Sequence, residues 1–218
     1  MWRVPHPYWP LFDLRIRTPR LELRIPEDGD LLELARLAAL GVHAESFMPF
    51  NIPWTDAPSP QREQGLMQWH WRNRSEWSPA SWRLGFAVVE GGRIVGTQDM
   101  FAREFGILRT VETGSWLGRE FQGRGIGKEM RAAVLHLAFA GLGARMARSA
   151  AFADNAPSLG VSRALGYIDD GEELALRRGM AARHLRLRLL REDWERRRRD
   201  DIVIDCLEPC LALLGAEG

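Results

Sequence analysis

The residues from 116 to 128 carry the pattern in this sequence that is best suited to chemistry: Trp-Leu-Gly-Arg-Glu-Phe-Gln-Gly-Arg-Gly-Ile-Gly-Lys. Gly123, Gly125 and Gly127 lack a Cβ atom, so the backbone there can approach a ligand closely and can adopt positive φ angles. Residues 128–139 place apolar side chains at helical spacing, and the first N–H groups of a helix lack intrahelical partners and carry partial positive charge. The glycine turn and the helix start together predict a site for pyrophosphate.

The spacing of this turn argues against the two common nucleotide-binding loops. A phosphate loop needs a glycine where Gln122 stands and a Ser or Thr where Glu129 stands. The dinucleotide fingerprint Gly-x-Gly-x-x-Gly also differs, because this turn reads Gly-x-Gly-x-Gly. Two interpretations remain: a glycine-rich turn without a ligand, and the pattern Gln122-x-x-Gly125-x-Gly127.

The second interpretation resembles the coenzyme A-binding motif Gln/Arg-x-x-Gly-x-Gly/Ala of the GNAT family of N-acyltransferases. A predicted strand at residues 144–152 and the stretch Asn155-Ala-Pro-Ser158 to Leu-Gly-Tyr167 resemble the next part of that family's pattern. Thr-Pro-Arg-Leu-Glu-Leu-Arg at 18–24 and Leu-Leu-Arg-Glu-Asp-Trp at 189–194 resemble the branch that includes the ribosomal-protein N-terminal acetyltransferases. The resemblance covers roughly residues 18 to 195.

The fold that this resemblance implies is of the α/β (α+β) class. It has a mixed, mostly antiparallel central sheet, a splayed pair of central strands and flanking helices. The chain length fits a single domain at 1–218, with an N-terminal arm at 1–17 and a C-terminal extension at 196–218. Apolar and turn patterns predict strands at 21–25, 82–90, 93–102, 110–117 and 184–190, and helices starting near Pro26 and Gln61.

The resemblance also implies which residues bind coenzyme A. The turn binds the pyrophosphate through residues shared with the motif and its neighbours: Gln122, Gly123, Arg124, Gly125, Ile126, Gly127 and Lys128. The strand residues Ser115, Trp116 and Leu117 bind the pantetheine arm, and the N–H near Leu117 polarises the thioester carbonyl. Asn155 and Ser158 bind the far side of the arm. Asn155 is also expected to cap its helix, and the two roles are compatible.

Acyl transfer to an amine needs a base for the ammonium group and an acid for the leaving thiolate. Glu112 is the candidate base, although it equally fits an ordinary exposed glutamate on a strand. For the acid, many family members place a tyrosine where this chain has Ser162, whereas the ribosomal-protein branch uses the serine that matches Ser158. Either hydroxyl is a candidate. Ser158 could also simply bond the first turn of its helix.

The acceptor region is expected in the irregular segment 41–60 and the helix after it. Phe50, Trp54 and His70 are the candidate acceptor-binding residues, and core packing is the alternative for aromatic side chains in this part. The sequence leaves the acceptor open among a protein N-terminus, a lysine, an antibiotic and a small amine.

The acyl donor is expected to be acetyl- or succinyl-coenzyme A. Ser115 leaves room beside the thioester and offers a hydroxyl to a carboxylate, which favours the succinyl donor as a hypothesis. Four basic side chains are candidates to bind that carboxylate, and the sequence does not choose among them: Arg103, Arg109, Arg119 and His70.

Composition limits the remaining partners. The net charge of +1 gives no general attraction to nucleic acid or an anionic membrane, and the basic run at 196–199 lies among acidic residues. No histidine or cysteine spacing indicates a metal site, and Cys206 and Cys210 do not form a disulfide framework. We expect a cytoplasmic protein. The apolar extension after Ile202 is expected to pack across the domain or a partner subunit, which favours a homodimer.

These observations predict an acyl-coenzyme A-dependent N-acyltransferase that acts on a primary amine by direct attack. The alternative from another class is a non-catalytic domain that binds or senses coenzyme A. Release of coenzyme A in the presence of an amine distinguishes the two.

Overall fold

The computed structural model describes residues 4–217, and one sheet of nine strands runs through them. The strands are β1 (Arg15–Arg17), β2 (Leu21–Arg24), β3 (Ser81–Glu90), β4 (Arg93–Arg103), β5 (Thr110–Leu117), β6 (Met146–Phe152), β7 (Ile168–Arg177), β8 (Met180–Leu190) and β9 (Val203–Asp205). They lie in the order β7-β8-β6-β5-β4-β3-β2-β1-β9, and every neighbouring pair is antiparallel except β5 with β6. The predicted mixed, mostly antiparallel sheet is confirmed.

Helices cover both faces of this sheet. They are α1 (Asp28–Leu40), α2 (Gln61–Ser75), α3 (Phe105–Leu108), α4 (Ile126–His136), α5 (Ala156–Ala164) and α6 (Arg191–Glu195). The start of α1 was predicted from its early acidic residues, and Glu27 and Asp30 form a reciprocal capping box there. Of the helices within residues 4–217, none combines the length and apolar content that crossing a bilayer requires.

The alternation of β3 separates two hydrophobic cores. Leu84 and Phe86 point to the larger core, which contains the apolar side of α4. Ala87 points the other way and packs with Leu31 and Leu34 of α1 and with residues of α2. Because side chains alternate along a strand, the sheet has an α4 face and an α1/α2 face.

The predicted splay lies between β5 and β6. These strands pair only from Thr110 to Glu112, opposite Met146 to Arg148. Beyond Glu112, β5 continues to Leu117 with β4 as its partner, and β6 continues to Phe152 with β8. The sheet is therefore open beside residues 113–117, as the resemblance implied.

Both ends of the chain contribute more structure than we predicted. The arm at 1–17 contains β1, which pairs with β2 and with β9 from the extension. The short helix α3 was also not predicted. On β8 we expected the basic residues to face water, which is wrong for His184, because it is buried against the ring of Phe152. Residues 1–3 of the arm and residue 218 of the extension lie outside the described residues.

The C-terminal extension packs across its own domain. Trp77 and Trp82 donate hydrogen bonds from Nε1 to the carbonyls of Leu213 and Leu214, each at 2.9 Å. Cys210 and Leu214 are fully buried. Apart from the exposed Val203, the large apolar residues of the extension pack within one chain, so the extension alone no longer supports the predicted homodimer.

Candidate active site

The turn before α4 has the conformation that its glycines predicted. Gly123 has φ +73° and Gly125 has φ +81°, which are left-handed values that favour glycine. Within residues 4–217, the backbone N–H groups of residues 123–127 donate to no backbone or side-chain acceptor. Consecutive free N–H groups at a helix start form a site for phosphate oxygens.

The Thr-Pro-Arg motif near the N-terminus lies against this turn. Arg20 donates to the carboxylate of Glu129, at 2.8 Å from Nε, and to the carbonyl of Arg124 at 3.3 Å. Thr18 Oγ1 donates to the other oxygen of Glu129 at 2.6 Å. Burial alone would raise the pKa of Glu129, but the hydrogen bonds from Thr18 and Arg20 outweigh it and lower this pKa. A fixed, half-exposed guanidinium therefore stands beside the turn, 3.7 Å from where a Cβ on Gly125 would lie.

Gln122 holds the turn in place through its side-chain amide. Nε2 donates to the carbonyl of Val42 at 2.6 Å and to that of Leu117 at 2.9 Å. The side chain thus links the turn to the end of β5 and to the segment after α1. Its predicted contact with coenzyme A stays a prediction, and the structure adds this positioning role.

On the α4 face of the splay lies a buried arginine that sequence reasoning missed. Arg131, only 3% exposed, donates to Ser115 Oγ of β5 at 3.2 Å, to Ser149 Oγ of β6 at 3.2 Å and weakly to Gln98 of β4 at 3.4 Å. Burial lowers the pKa of this guanidinium, and Tyr167 and Asp99 act in the opposite direction. A lone arginine within an apolar helical run was the available signal.

Arg131 also corrects the hypothesis about Ser115. The hydroxyl of Ser115 points into the α4 face, and its cationic contact is Arg131. None of the four basic residues considered from the sequence makes that contact. Arg109, for example, donates to the carbonyl of Leu142 and stacks on Phe105, and His70 is a buried residue of α2.

The acid candidates lie around α5. Asn155 caps this helix by accepting from the N–H of Ser158 at 3.2 Å, so the predicted capping is confirmed. Ser158 is half-buried and Ser162 is buried, and both keep their predicted role as proposals. Tyr167 is a third hydroxyl that we did not consider. It lies 3.4 Å from Thr113 Oγ1 of β5, and burial raises its pKa, so it remains protonated and able to donate.

On the α1/α2 face, aromatic side chains lead to the splayed strand. Phe50 contacts Trp54 with ring centroids 5.5 Å apart, and Trp54 contacts Trp116 of β5 at 5.7 Å. Phe50 and Trp54 pack on the smaller core but are not fully buried, so the packing role is confirmed and the predicted pocket role stays a prediction. His70 is 5% exposed, and burial lowers its pKa to about 3.

Glu112 occupies the last paired position of β5 before the splay. Its side chain is exposed, and alternation places it on the α1/α2 face with Trp116. The structure brings Glu112, Trp116, Trp54 and Phe50 to one face and places the turn, Ser115 and α5 on the other. Within residues 4–217, no group of three or more His, Cys, Asp or Glu side chains is placed to hold a metal ion.

A free strand edge beside an anion-binding helix start is the arrangement expected of an acyltransferase that uses coenzyme A. Residues 20–168 match the family model described as the acetyltransferase (GNAT) domain. The chain therefore belongs to the GNAT acetyltransferase family.

Solved structures share this fold. RimJ of Mycobacterium smegmatis in complex with CoA-disulfide has 21% identity, a TM-score of 0.68, and coverage of 83% of this chain and 88% of that one. RimL, a ribosomal L7/L12 alpha-N-protein acetyltransferase in complex with coenzyme A, has 17% identity, a TM-score of 0.65, and coverage of 79% and 95%. The Microcin C7 self immunity acetyltransferase MccE in complex with acetyl-CoA and AMP has 18% identity, a TM-score of 0.61, and coverage of 79% and 93%. At these identities the similarity concerns the fold.

Proposed function

We propose that this protein transfers an acyl group from a coenzyme A thioester to a primary amine by direct attack. The observation that carries the proposal is the run of N–H groups at residues 123–127, which have no acceptor among residues 4–217 and lie next to the open edge of β5. The turn would hold the pyrophosphate with Arg20 beside it, and the edge from Ser115 to Leu117 would bind the pantetheine arm.

In the reaction, the nitrogen lone pair of the neutral amine attacks the thioester carbonyl carbon. The carbon–sulfur bond then breaks, and its electron pair leaves with sulfur. A backbone N–H of β5 near Leu117 would stabilise the oxyanion. Before the attack, the acceptor ammonium loses a proton to a base, for which Glu112 is the candidate from the sequence. The thiolate takes a proton from Ser158, Ser162 or Tyr167, and that hydroxyl is restored by the second proton, which the nitrogen loses as the amide forms.

We propose a protein N-terminus as the first acceptor to test. The support is the fold shared with RimJ and RimL, of which RimL is described as an alpha-N-protein acetyltransferase. The acceptor would approach from the α1/α2 face, on which Phe50, Trp54 and His70 lie. A lysine or a small amine is the alternative acceptor.

For the donor, we propose that succinyl-coenzyme A competes with acetyl-coenzyme A. The support is Arg131, a buried cation that donates to the neutral side chains of Ser115, Ser149 and Gln98. A charge-assisted hydrogen bond from Arg131 to the carboxylate of the succinyl group would stabilise the bound succinyl-coenzyme A by roughly 1.5–3 kcal/mol. This corresponds to a preference over acetyl-coenzyme A of about one to two powers of ten.

The decisive experiment measures release of free coenzyme A from acetyl- and succinyl-coenzyme A against a panel of peptides with free N-termini, lysine peptides and polyamines. Release that depends on the amine supports the transferase. Tight coenzyme A binding by calorimetry with no release from any amine supports the non-catalytic alternative.

We also propose a cytoplasmic homodimer. The edge strand β7 and its hairpin with β8 expose Leu174, Leu176 and Met180, between 68% and 73% of each side chain, which suits a contact between subunits. Light scattering that reports a monomer contradicts the dimer.

A further inference from the structure

Asp99 lies at the centre of the α1/α2 face with a glycine on each neighbouring strand. In the register of the sheet, Asp99 of β4 is opposite Gly85 of β3 on one side and Gly114 of β5 on the other. Gly114 belongs to the part of β5 beyond the splay, where the thioester would bind. The carboxylate is therefore one strand away from the reacting bond.

The two glycines leave space on both sides of the carboxyl group. A Cβ on Gly85 would lie 3.4 Å from Oδ1 of Asp99, and a Cβ on Gly114 would lie 3.8 Å from Oδ2. The same position on Gly85 is 3.2 Å from both His70 Cε1 and Trp69 Cζ3, so α2 covers the Oδ1 side. Oδ2 is directed towards the open part of the sheet.

The hydrogen-bonding capacity of the Asp99 carboxyl group is not filled by the described part of the protein. Oδ1 is buried and has no hydrogen-bond partner among the described residues, although the residue as a whole is only half-buried. Buried carboxylate oxygens without a donor are rare in native proteins because they are costly. Because Oδ1 has no donor on its covered side, the charged form of the carboxyl group lacks stabilisation there, which favours uptake of a proton.

Titratable and charged side chains from β3, β5, α2 and α4 surround Asp99. Burial raises the pKa of Asp99 to about 7, while Arg83 of β3 and Arg131 of α4 hold it down. His70 of α2 is neutral near pH 7 because burial lowers its pKa, with a smaller effect from Arg74. Glu112 shares this face on β5. A carboxyl group that titrates near neutral pH is suited to accept a proton from an ammonium group.

We propose that Asp99 binds the ammonium group of the acceptor and takes its proton. This role rests on the proposed acyl transfer. The ammonium N–H bond breaks, the proton passes to Oδ2, and the freed nitrogen lone pair attacks the thioester carbon. Asp99 later returns the proton to solvent. Glu112, the base suggested by the sequence, is exposed at the closed end of the splay, whereas Asp99 is opposite the open part.

The test compares Asp99→Asn with Glu112→Gln in full pH profiles of kcat/KM, with coenzyme A affinity measured by calorimetry. In the parent, kcat/KM should rise with pH to a plateau through a pKa near 7. Asp99→Asn should lose about 100-fold or more and lose this rise, while binding coenzyme A as the parent does. Glu112→Gln should keep the rise.

Three outcomes count against the role of Asp99. It is overturned if Asp99→Asn keeps the rise near pH 7, or if Glu112→Gln removes the rise instead. A parent that binds coenzyme A but releases none with any amine contradicts the proposed transfer itself, and with it the role of Asp99.

A second variant fills the space beside the carboxylate and leaves Asp99 itself unchanged. In Gly114→Ala the new methyl group meets Oδ2 at an ordinary contact distance, and alanine is favoured over glycine in a strand, so the fold should be kept. KM for the amine should rise about tenfold or more with unchanged coenzyme A affinity. Gly29→Ala, where a Cβ meets nothing within 4 Å, is the matched control. An unchanged KM in Gly114→Ala contradicts the acceptor site.

Discussion

Replacing Asp99 with Asn should change how the stability of the protein depends on pH, because Asp99 and His70 lie together and titrate in opposite senses. Burial raises the pKa of Asp99 from 3.8 to about 7. Burial also lowers the pKa of His70 from 6.5 to about 3. Both groups are thus held in their neutral forms by the same covered face, under α2.

The sign of each effect follows from where the proton is bound. Between about pH 4 and 7 the native state keeps a proton on Asp99 that the unfolded chain has released, so stability falls as pH rises. Between about pH 3 and 6.5 the unfolded chain holds a proton on His70 that the native state lacks, so stability rises with pH. Each slope is about 1.4 kcal/mol per pH unit.

In the parent, these two slopes nearly cancel between about pH 4 and 6.5. Asn cannot titrate, so Asp99→Asn should reveal the slope of His70 alone. The variant should match the parent near pH 4 and exceed it by about 3 kcal/mol near pH 6.5, since the window spans about 2.5 pH units. His70→Asn should show the opposite slope.

Urea unfolding at half-unit steps from pH 4 to 7.5 measures this difference directly. Other titrating groups, such as His136 with its lowered pKa, contribute equally to parent and variant and drop out of the subtraction. If the difference in unfolding free energy between parent and Asp99→Asn is constant over this range, the pKa of Asp99 is not raised and the reasoning fails.

Three further predictions concern the turn, the donor and the extension. Gly125→Val should abolish coenzyme A binding in calorimetry. Gly143→Val is the control, because Gly143 has a similar φ of +73° and no close neighbour, and it should lose similar stability but keep binding. Equal binding in both variants would mean that the turn is misassigned. Arg131→Met should lower the succinyl-to-acetyl ratio of kcat/KM about 10- to 100-fold, and an unchanged ratio contradicts the donor proposal. Trp82→Phe should lower the unfolding free energy by about 1 kcal/mol in urea titrations, because it removes the hydrogen bond to the extension, and no loss would show that this bond is dispensable.

Local patterns allowed the sequence to predict much of the fold. The turn at 122–128 could be predicted because glycine is the residue that adopts positive φ angles at no steric cost, and Gly123 and Gly125 do have positive φ. β5 was predicted with the bounds Thr110–Leu117 because its residues are β-branched and apolar between clear turns. In contrast, β1 and β9 are strands of only three residues each, and they pair with each other across the ends of the chain. No local pattern encodes such a pairing.

Only the part of the candidate site that lies in one continuous segment, the turn at 122–128, could be predicted from the sequence. Asp99 is a single carboxylate in a strand, and nothing near it in the sequence indicates chemistry. Its significance comes from the register, which sets it between Gly85 and Gly114, residues far apart in the chain. Arg131 is similar, since Ser115 and Ser149 reach it from two strands that lie together only in the folded protein.

The two faces of the sheet explain why the chemistry belongs beside residues 113–117. The turn and Arg131 lie on the α4 face, whereas Asp99 and the aromatic side chains lie on the α1/α2 face. A continuous sheet would keep a donor and an acceptor on these faces apart, because its strands are hydrogen-bonded into one layer. The layer opens only where β6 leaves β5 after Glu112. In the proposed reaction, Ser115 would face the donor there, and Gly114, with no side chain, would leave room beside Asp99, so that the amine and the thioester would meet at the opening.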